Sequence, residues 1–211
     1  MKSVFLMFGA IFWSAFAFAD LTSVPSTPSQ ERMDRYDKQP ISETKRDCRN
    51  DDFAACFYLG FYYAGDFQNY DINAKQAAKF FGKACDGGLM LSCHNLGGLY
   101  FTGRIAPIDY AKAALAYESA CLGGIAESCN FAGASHWALD RATQAETAKG
   151  FFDKGCDLGD AESCYNLATT IASDAQSSGD FELAAGHMAR ACELGDIDAC
   201  SFLQRLGQTP K

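Results

Sequence analysis

Positive charge is scarce in this sequence. Among its 211 residues, Lys and Arg number 18 while Asp and Glu number 26, so the formal net charge is -8. A nucleic-acid partner requires a basic face that displaces counterions, and electrostatic docking on anionic lipid also requires basic residues. The composition therefore argues against nucleic acid and against a charged membrane surface as partners.

Histidine is rarer still, because the chain contains only His94, His136 and His187. None of them belongs to an H-E-x-x-H motif, and the sequence has neither a phosphate loop nor a dinucleotide fingerprint. His136 falls on a predicted core stripe, so we expect it to be packed rather than ligating. We therefore expect no metal site and no cofactor.

Long apolar runs do not occur after the first twenty residues. At the N-terminus, Lys2 precedes an apolar stretch that closes with Ala-Phe-Ala at 17–19. This order is typical of a secretory signal peptide with a small-residue cleavage site. We predict that residues 1–19 are a signal peptide and that the protein is periplasmic or secreted. An uncleaved membrane anchor is the alternative, although the apolar run is short for one.

The stretch that follows is polar and lacks apolar periodicity. Residues 20–40 are rich in Ser, Thr and Pro. Such a composition cannot bury enough apolar surface to order the chain. We predict a flexible leader here, and a tail that folds on a partner is the alternative.

Cysteine, in contrast, is abundant. The ten cysteines form five C-x7-C pairs that recur after 35 to 37 residues. The pairs are Cys48/Cys56, Cys85/Cys93, Cys121/Cys129, Cys156/Cys164 and Cys192/Cys200. The constant inner spacing and an oxidising compartment favour five disulfides within the pairs over zinc coordination. We count all ten among the candidate site residues, as bridges. A period near 36 residues predicts a solenoid of one repeating unit, which we place at residues 41–208.

The residues that precede each pair predict a helix with one packed face. Before the first cysteine of the last four pairs, small residues at -8 and -1 and a large residue at -4 share a helical face. They are Ala77, Ala113, Ala148 and Ala184 at -8, Phe81, Tyr117, Phe152 and Met188 at -4, and Ala84, Ala120, Gly155 and Ala191 at -1. A Gly three residues after that cysteine suits the left-handed cap of a helix end. We name this helix, which ends at the first cysteine, helix B.

The second cysteine of each pair opens another helix, which we name helix A. Its apolar stripe falls three and seven residues after that cysteine, which is helical spacing. Each bridge should therefore join helix B of one repeat to helix A of the next. The predicted fold class is all-α, a superhelix of αα-hairpin repeats stapled by disulfides.

The cysteine pairs, the period and runs such as ACDGG at 84–88 and SCYNLA at 163–168 resemble Sel1-like repeat proteins. More narrowly, they resemble the Helicobacter cysteine-rich protein family, and the resemblance covers about residues 41–206. It implies a right-handed superhelix related to tetratricopeptide arrays, with helix A lining a concave face. The chain departs from the pattern at Asp51, where later repeats have Gly, and at Ala168, where the second repeat has Gly97.

The resemblance implies three functions, and the spacing does not select among them. Sel1-like repeats generally act as protein-interaction scaffolds. Members of the cysteine-rich family have been described as penicillin-binding proteins with weak β-lactamase activity, and other periplasmic Sel1-like proteins are immunity partners of secreted toxins. A serine β-lactamase needs S-x-x-K, S-D-N and K-T-G. Ser42 and Lys45 match the first motif, Ser173-Asp174 is followed by Ala175, and K-T-G does not occur, so we assign no catalytic residue.

Ten side chains on helix A are candidates for a ligand-binding groove. Residues one, two, five and six after the second cysteine are expected to point away from the core stripe. The candidates at these positions are Phe57, Tyr58, Phe61, Tyr62, His94, Asn95, Asn130, Phe131, Tyr165 and Asn166. Aromatic faces bury apolar area and amides pair with peptide backbone groups. We predict a protein or peptide ligand, with a β-lactam or peptidoglycan-like ligand as an alternative. Packing of part of the aromatic set under a neighbouring repeat is the competing interpretation.

Overall fold

The computed structural model describes residues 28–65, 73–104 and 107–207, and within these ranges it is helical and contains no strand. The helices are α1 (Gln30–Lys38), α2 (Ile41–Arg49), α3 (Phe53–Ala64), α4 (Ala74–Asp86), α5 (Met90–Phe101), α6 (Tyr110–Leu122), α7 (Ala126–Leu139), α8 (Arg141–Asp157), α9 (Ala161–Asp174), α10 (Ser178–Glu193) and α11 (Ile197–Arg205). The predicted all-α class is confirmed. The predicted signal peptide and the first part of the leader lie outside the described residues. No helix within those ranges combines the length and apolarity that a bilayer crossing needs.

The later part of the predicted flexible leader is the helix α1, so that part of the prediction is wrong. Tyr36 is 1% exposed and belongs to the first core cluster. Its hydroxyl donates to Asp52 Oδ2 at 2.6 Å, and Arg35 donates to the same oxygen at 3.1 Å. Burial and the hydrogen bond to Asp52 raise the pKa of Tyr36 to about 12, so the phenol keeps its proton. One buried aromatic in a polar helix leaves no apolar period in the sequence.

Helices A and B alternate along the chain, and consecutive helices from α2 to α11 pack against each other. The odd-numbered helices from α3 onward begin near a second cysteine, and the even-numbered helices end near a first cysteine. All five predicted pairs are bridged, with Cα–Cα distances of 4.5 to 4.8 Å. The predicted pairing and the predicted staple between helix B and the next helix A are therefore confirmed.

Seven of the ten bridge cysteines belong to the core, and Cys85, Cys192 and Cys200 are half-buried. Cys56, Cys93 and Cys164 are 0% exposed, as are Cys121 and Cys129. Each of the first three is the fourth residue of its helix A, in α3, α5 and α9, where the preceding helix B packs over the first turn. Their predicted role as bridges is thus confirmed, and spacing alone did not predict this burial.

The turn from helix B to helix A needs one left-handed residue. Three residues after the first cysteine, φ lies between 87° and 100° at Gly88, Gly124, Gly159 and Gly195. Asp51 takes this place in the first pair with φ 63°, the only positive φ at a non-glycine in the described part of the chain. Aspartate tolerates this conformation better than most side chains. The predicted cap therefore recurs in all five turns.

Within each repeat, helix A is fitted to helix B through one large side chain. The -4 residue of helix B packs on the residue four positions after the second cysteine of helix A. The pairs are Gly60 with Phe81, Gly97 with Tyr117 and Gly133 with Phe152, and a Cβ on the glycine would lie 2.3 to 2.8 Å from the ring. In the fourth repeat Ala168 takes the glycine position, and Met188 shares its buried cluster. A flexible methionine leaves room for the alanine methyl, whereas a rigid ring does not.

Candidate ligand-binding face

The four aromatic side chains predicted for a groove in the first repeat belong largely to its core. Phe57 and Tyr58 are 4% and 3% exposed, and Phe61 and Tyr62 are half-buried. Helix α1 covers this end, with the Tyr36 and Tyr58 ring centroids 5.7 Å apart. The expectation that Phe57 and Tyr58 point away from the core is wrong, because α1 packs on Tyr58 and Phe81 of α4 packs on Phe57.

In the second repeat, His94 and Asn95 are half-buried and make local contacts. His94 Nδ1 lies 2.8 Å from Ser128 Oγ in the next repeat, while the Asn95 amide donates to the backbone one turn earlier in α5. Burial lowers the pKa of His94, although Glu127 opposes the shift. The ring is therefore favoured in its neutral form, in which one nitrogen donates and the other accepts.

The third and fourth repeats are joined by a pair of amides. Asn166 Nδ2 donates to Asn130 Oδ1 at 2.7 Å and so connects α9 to α7. Asn130 is only 2% exposed, so the expectation that it faces solvent is wrong, because its amide is used between repeats. Phe131 is half-buried and packs in a core cluster, and Tyr165 is half-buried beside another.

Two adjoining depressions lie beside α9, and we call them together the α9 trough. Its polar end has a volume of about 350 Å³ and its lining includes Trp137, Arg141 and Asn166. Its apolar end has a volume of about 560 Å³ and includes Tyr165. Thr169 and Ser173 line both ends, so one elongated ligand can contact both.

The polar end carries a cation, Arg141, and its link to a carboxylate is indirect, through Ser173 Oγ to Asp174 Oδ1. The Arg141 guanidinium lies 4.6 Å from the centroid of the Trp137 ring, and it donates to Ser173 Oγ at 3.4 Å. Within the described residues, Arg141 forms no ion pair. Trp137 packs against the buried Phe152 cluster, so the ring under the guanidinium is held in place by the core.

The apolar end is lined by large side chains that remain accessible. Phe181, Phe202 and Leu206 are 57%, 41% and 57% exposed, and all three line this end together with Met188. Grouped exposed apolar side chains mark interaction surfaces more often than scattered ones do. The α9 trough therefore offers a cation next to an apolar surface.

The predicted residues of the second repeat border a smaller cavity of about 190 Å³. His94 and Asn95 line it together with Arg104. Arg104 donates to the Ala64 carbonyl at 2.8 Å, so its guanidinium is already used to link neighbouring repeats. This cavity is therefore a weaker candidate than the α9 trough.

The residues that match β-lactamase motifs do not form a catalytic arrangement. Ser42 and Lys45 lie on α2, where Ser42 is exposed. Ser173 and Asp174 lie at the end of α9, three repeats further on. The Lys45 ammonium lies over the Tyr63 ring, 5.3 Å from its centroid. The residues that could serve such chemistry are thus divided between different helices.

The histidines do not assemble a metal site either. His136 is only 13% exposed, pairs with Glu118 through Nε2 and lies 3.1 Å from Gln144 Oε1 through Nδ1. Its ring stacks on Phe151. In the part of the chain that the structure describes, no group of three or more His, Cys, Asp or Glu side chains could hold a metal ion.

Part of the α9 trough could have been found from the sequence. In the first repeat, the residues five and six positions after the second cysteine are groove candidates. In the fourth repeat, the same positions are Thr169 and Thr170. Both line the polar end. Arg141 belongs to a helix B, α8, and no periodic position indicates it. Trp137 follows His136 on α7 without a repeat equivalent of its type.

Comparison with family models and with curated proteins finds no match. Among solved structures, a protective antigen of uropathogenic Escherichia coli strains that displays an SLR fold aligns with a TM-score of 0.65 and 20% identity. The alignment covers 81% of this chain but only 37% of the antigen. A Sel1 repeat protein from Oxalobacter formigenes aligns with a TM-score of 0.60 and 20% identity over 81% of this chain and 71% of that one.

Cysteine-rich protein B of Helicobacter pylori aligns with 20% identity over 85% of this chain and all of its own, but with a TM-score of only 0.29. A TM-score this low does not support the narrower resemblance to the cysteine-rich family, which stays a prediction. The two higher scores agree with the alternating helices and the repeat period described above. The chain therefore has the fold of Sel1-like repeat proteins.

Proposed function

We propose that this chain is an extracytoplasmic repeat scaffold that binds a protein or peptide in the α9 trough. The observation that carries the proposal is that the two depressions adjoin on α9, where both are lined by Thr169 and Ser173. Two of the predicted groove residues, Tyr165 and Asn166, line the trough. Repeat solenoids commonly bind partners along an extended face. The predicted signal peptide and the five bridges support a periplasmic or secreted location.

The ligand that best fits the trough is an extended segment with a carboxylate next to an apolar side chain. A guanidinium fork such as that of Arg141 binds a carboxylate through two parallel hydrogen bonds. The Asn166 amide and the Thr169 hydroxyl suit peptide backbone groups. The aromatic surfaces of Phe181 and Phe202 suit the apolar side chain, because they gain burial when it binds.

Toxin neutralisation and β-lactam binding are alternatives that differ in what is bound. A toxin would be one particular protein ligand of the same face. Slow β-lactam hydrolysis would appear as turnover of a chromogenic cephalosporin by the oxidised protein. No step of the proposal depends on such turnover.

Selection of peptides from a random library on the oxidised protein, followed by calorimetry of the selected peptide, tests the proposal. We expect Arg141→Ala to weaken binding by about ten- to a hundredfold, as truncation of a central arginine contact does. Conversion of the peptide carboxylate to an amide should weaken binding to the wild type by a similar factor. The same conversion should weaken binding to the Arg141→Ala variant little further.

Arg190→Ala is the matched control. It removes the same charge from α10, where Arg190 pairs with Glu193 outside the trough. The proposal expects this variant to bind like the wild type. Equal affinities of the Arg141 and Arg190 variants would contradict it.

A further inference from the structure

A second concave site lies at the other end of the array, between α2, α4 and the end of α3. It is a cleft of about 400 Å³, and its lining includes four cationic side chains, Lys45, Arg49, Lys79 and Lys83. No carboxylate is among the lining residues. We call it the basic cleft, and it shares no lining residue with the α9 trough.

The basic cleft contrasts with the charge of the whole chain. Residues 84–211 contain eight basic and sixteen acidic side chains, whereas residues 28–83 contain nine of each. The negative excess is therefore confined to the later repeats. Four of the nine basic residues in the earlier segment converge on one cleft. Cationic side chains that share a concave surface raise the local concentration of anions.

Two of the four cations are held in place, and two are free to bind. Lys83 Nζ lies 2.9 Å from Asp51 Oδ1 and donates to the Arg49 carbonyl at 3.3 Å. Lys45 is held over the Tyr63 ring. In the described part of the chain, the side chains of Arg49 and Lys79 form no ion pair, and both residues are exposed. An anion in the cleft would thus meet two cations without an ion pair and two positioned ones.

We propose that the basic cleft binds a phosphate ester. A phosphate carries a charge of about -1.5 to -2 at neutral pH and three acceptor oxygens, which matches several converging donors better than one carboxylate does. Arginine binds phosphate through two parallel hydrogen bonds. The cleft is larger than an inorganic phosphate ion, and Tyr63 and Phe80, whose rings stack 5.6 Å apart, provide an apolar wall for the organic part.

Calorimetric titration of the oxidised protein with glucose 6-phosphate, inorganic phosphate and glucose tests this site. We expect glucose 6-phosphate to bind more tightly than inorganic phosphate, and glucose not to bind. Lys79→Gln and Arg49→Gln should each weaken glucose 6-phosphate binding by about tenfold, in line with hydrogen bonds to charged groups. Higher ionic strength should weaken binding as well.

Lys75→Gln is the matched control, because it removes the same charge from α4 at a residue outside the cleft. It should bind like the wild type. Equal losses in the Lys75 and Lys79 variants, or no binding of either phosphate, would overturn the proposal. Inorganic phosphate that binds as tightly as the ester would overturn the role of the apolar wall. A parallel titration with dextran phosphate distinguishes two sources of the phosphate ester. Tighter binding per phosphate group than that of glucose 6-phosphate identifies a polymer-borne ester, and weaker binding identifies a small soluble one.

Discussion

Gly97 and Tyr117 show how a single atom decides the fit between the two helices of one repeat. A Cβ at Gly97 would lie 2.8 Å from the Tyr117 ring, whereas a Cβ at Gly98 would only reach the Tyr117 hydroxyl at 3.5 Å. We expect Gly97→Ala to destabilise the protein by about 1–3 kcal/mol, as overpacking of a core does. Urea denaturation of the oxidised protein measures this change.

Gly98→Ala, one residue further along the same helix, is the control. Alanine is favoured over glycine inside a helix by about 0.5–1 kcal/mol, so this variant should be at least as stable as the wild type. If both variants lose the same stability, the close approach of the ring to Gly97 is not what requires a glycine there.

His94 makes stability depend on pH. Its pKa is lowered in the folded protein because the ring is buried. As the pH falls through the unfolded value of about 6.5, the unfolded chain takes up the proton first, so the folded state loses stability. At higher pH the ring is neutral in both states and the effect vanishes.

We therefore expect the free energy of unfolding to fall between about pH 7.5 and 5.5, and to fall less in His94→Gln. Glutamine can keep a hydrogen bond to Ser128 without titrating. Urea melts at a series of pH values measure this dependence, and His187→Gln, on α10, controls for the loss of a histidine elsewhere. An unchanged slope in His94→Gln would show that the buried ring does not cause the acid sensitivity.

The sequence predicted the residues of the packed helix stripes well. It predicted less well which side chains face solvent. The small-large-small pattern before the first cysteine of the last four pairs holds, because the contact between helix A and helix B recurs with the period. Phe57, Tyr58 and Asn130 were misassigned because their burial depends on a neighbour that the period does not describe. For Tyr58 that neighbour is α1, and for Asn130 it is the amide of Asn166. Spacing predicts a face of a helix, but not what lies on it.

Among the contacts that join two neighbouring helices, the disulfide bridge is the one that substitution removes most cleanly. A bridge that closes about nine residues stabilises by about 2.6 kcal/mol in the chain-entropy model, which is debated. Cys121 and Cys129 are both fully buried, whereas Cys192 and Cys200 are half-buried at the last described helix. We expect Cys121→Ala/Cys129→Ala to lose more stability than Cys192→Ala/Cys200→Ala, within a range of about 2–5 kcal/mol.

Urea melts of the two double variants, with free-thiol assays to verify that the other bridges are intact, measure this difference. The physical reason is that the central bridge joins helices that are packed on both sides, while the terminal one joins α10 to a helix with one neighbour. Equal losses would mean that the central interface is no more strongly coupled than the end of the array.

Among the elements, α1 was the least predictable. Its sequence is polar, and its attachment rests on Tyr36 and on hydrogen bonds to Asp52. These contacts join residues that are sixteen or more positions apart, and no local propensity encodes them. The hairpins, in contrast, repeat the same cap, bridge and stripe, so each copy supports the assignment of the others.

At the scale of the whole molecule, the two proposed sites lie in parts of different charge. The basic cleft belongs to the electrically balanced earlier segment, and the α9 trough belongs to the acidic later repeats. Arg141 forms no ion pair among the described residues although its surroundings are acidic, and overall composition does not indicate such a residue. The candidate site was therefore predictable as a helix A face, but not as the particular trough in which Arg141 meets exposed aromatic side chains.

The central claim is that the ligand binds along the α9 trough, and nuclear magnetic resonance titration of the oxidised protein with a selected peptide tests it most directly. The account predicts that the largest amide shift changes fall on the trough residues of α7, α9 and α10, with Asn166, Thr169 and Ser173 among them. It also predicts that Arg141→Ala greatly reduces these changes and that Arg190→Ala does not. Shift changes confined to α2 and α4, or to helices outside the trough, would contradict the account.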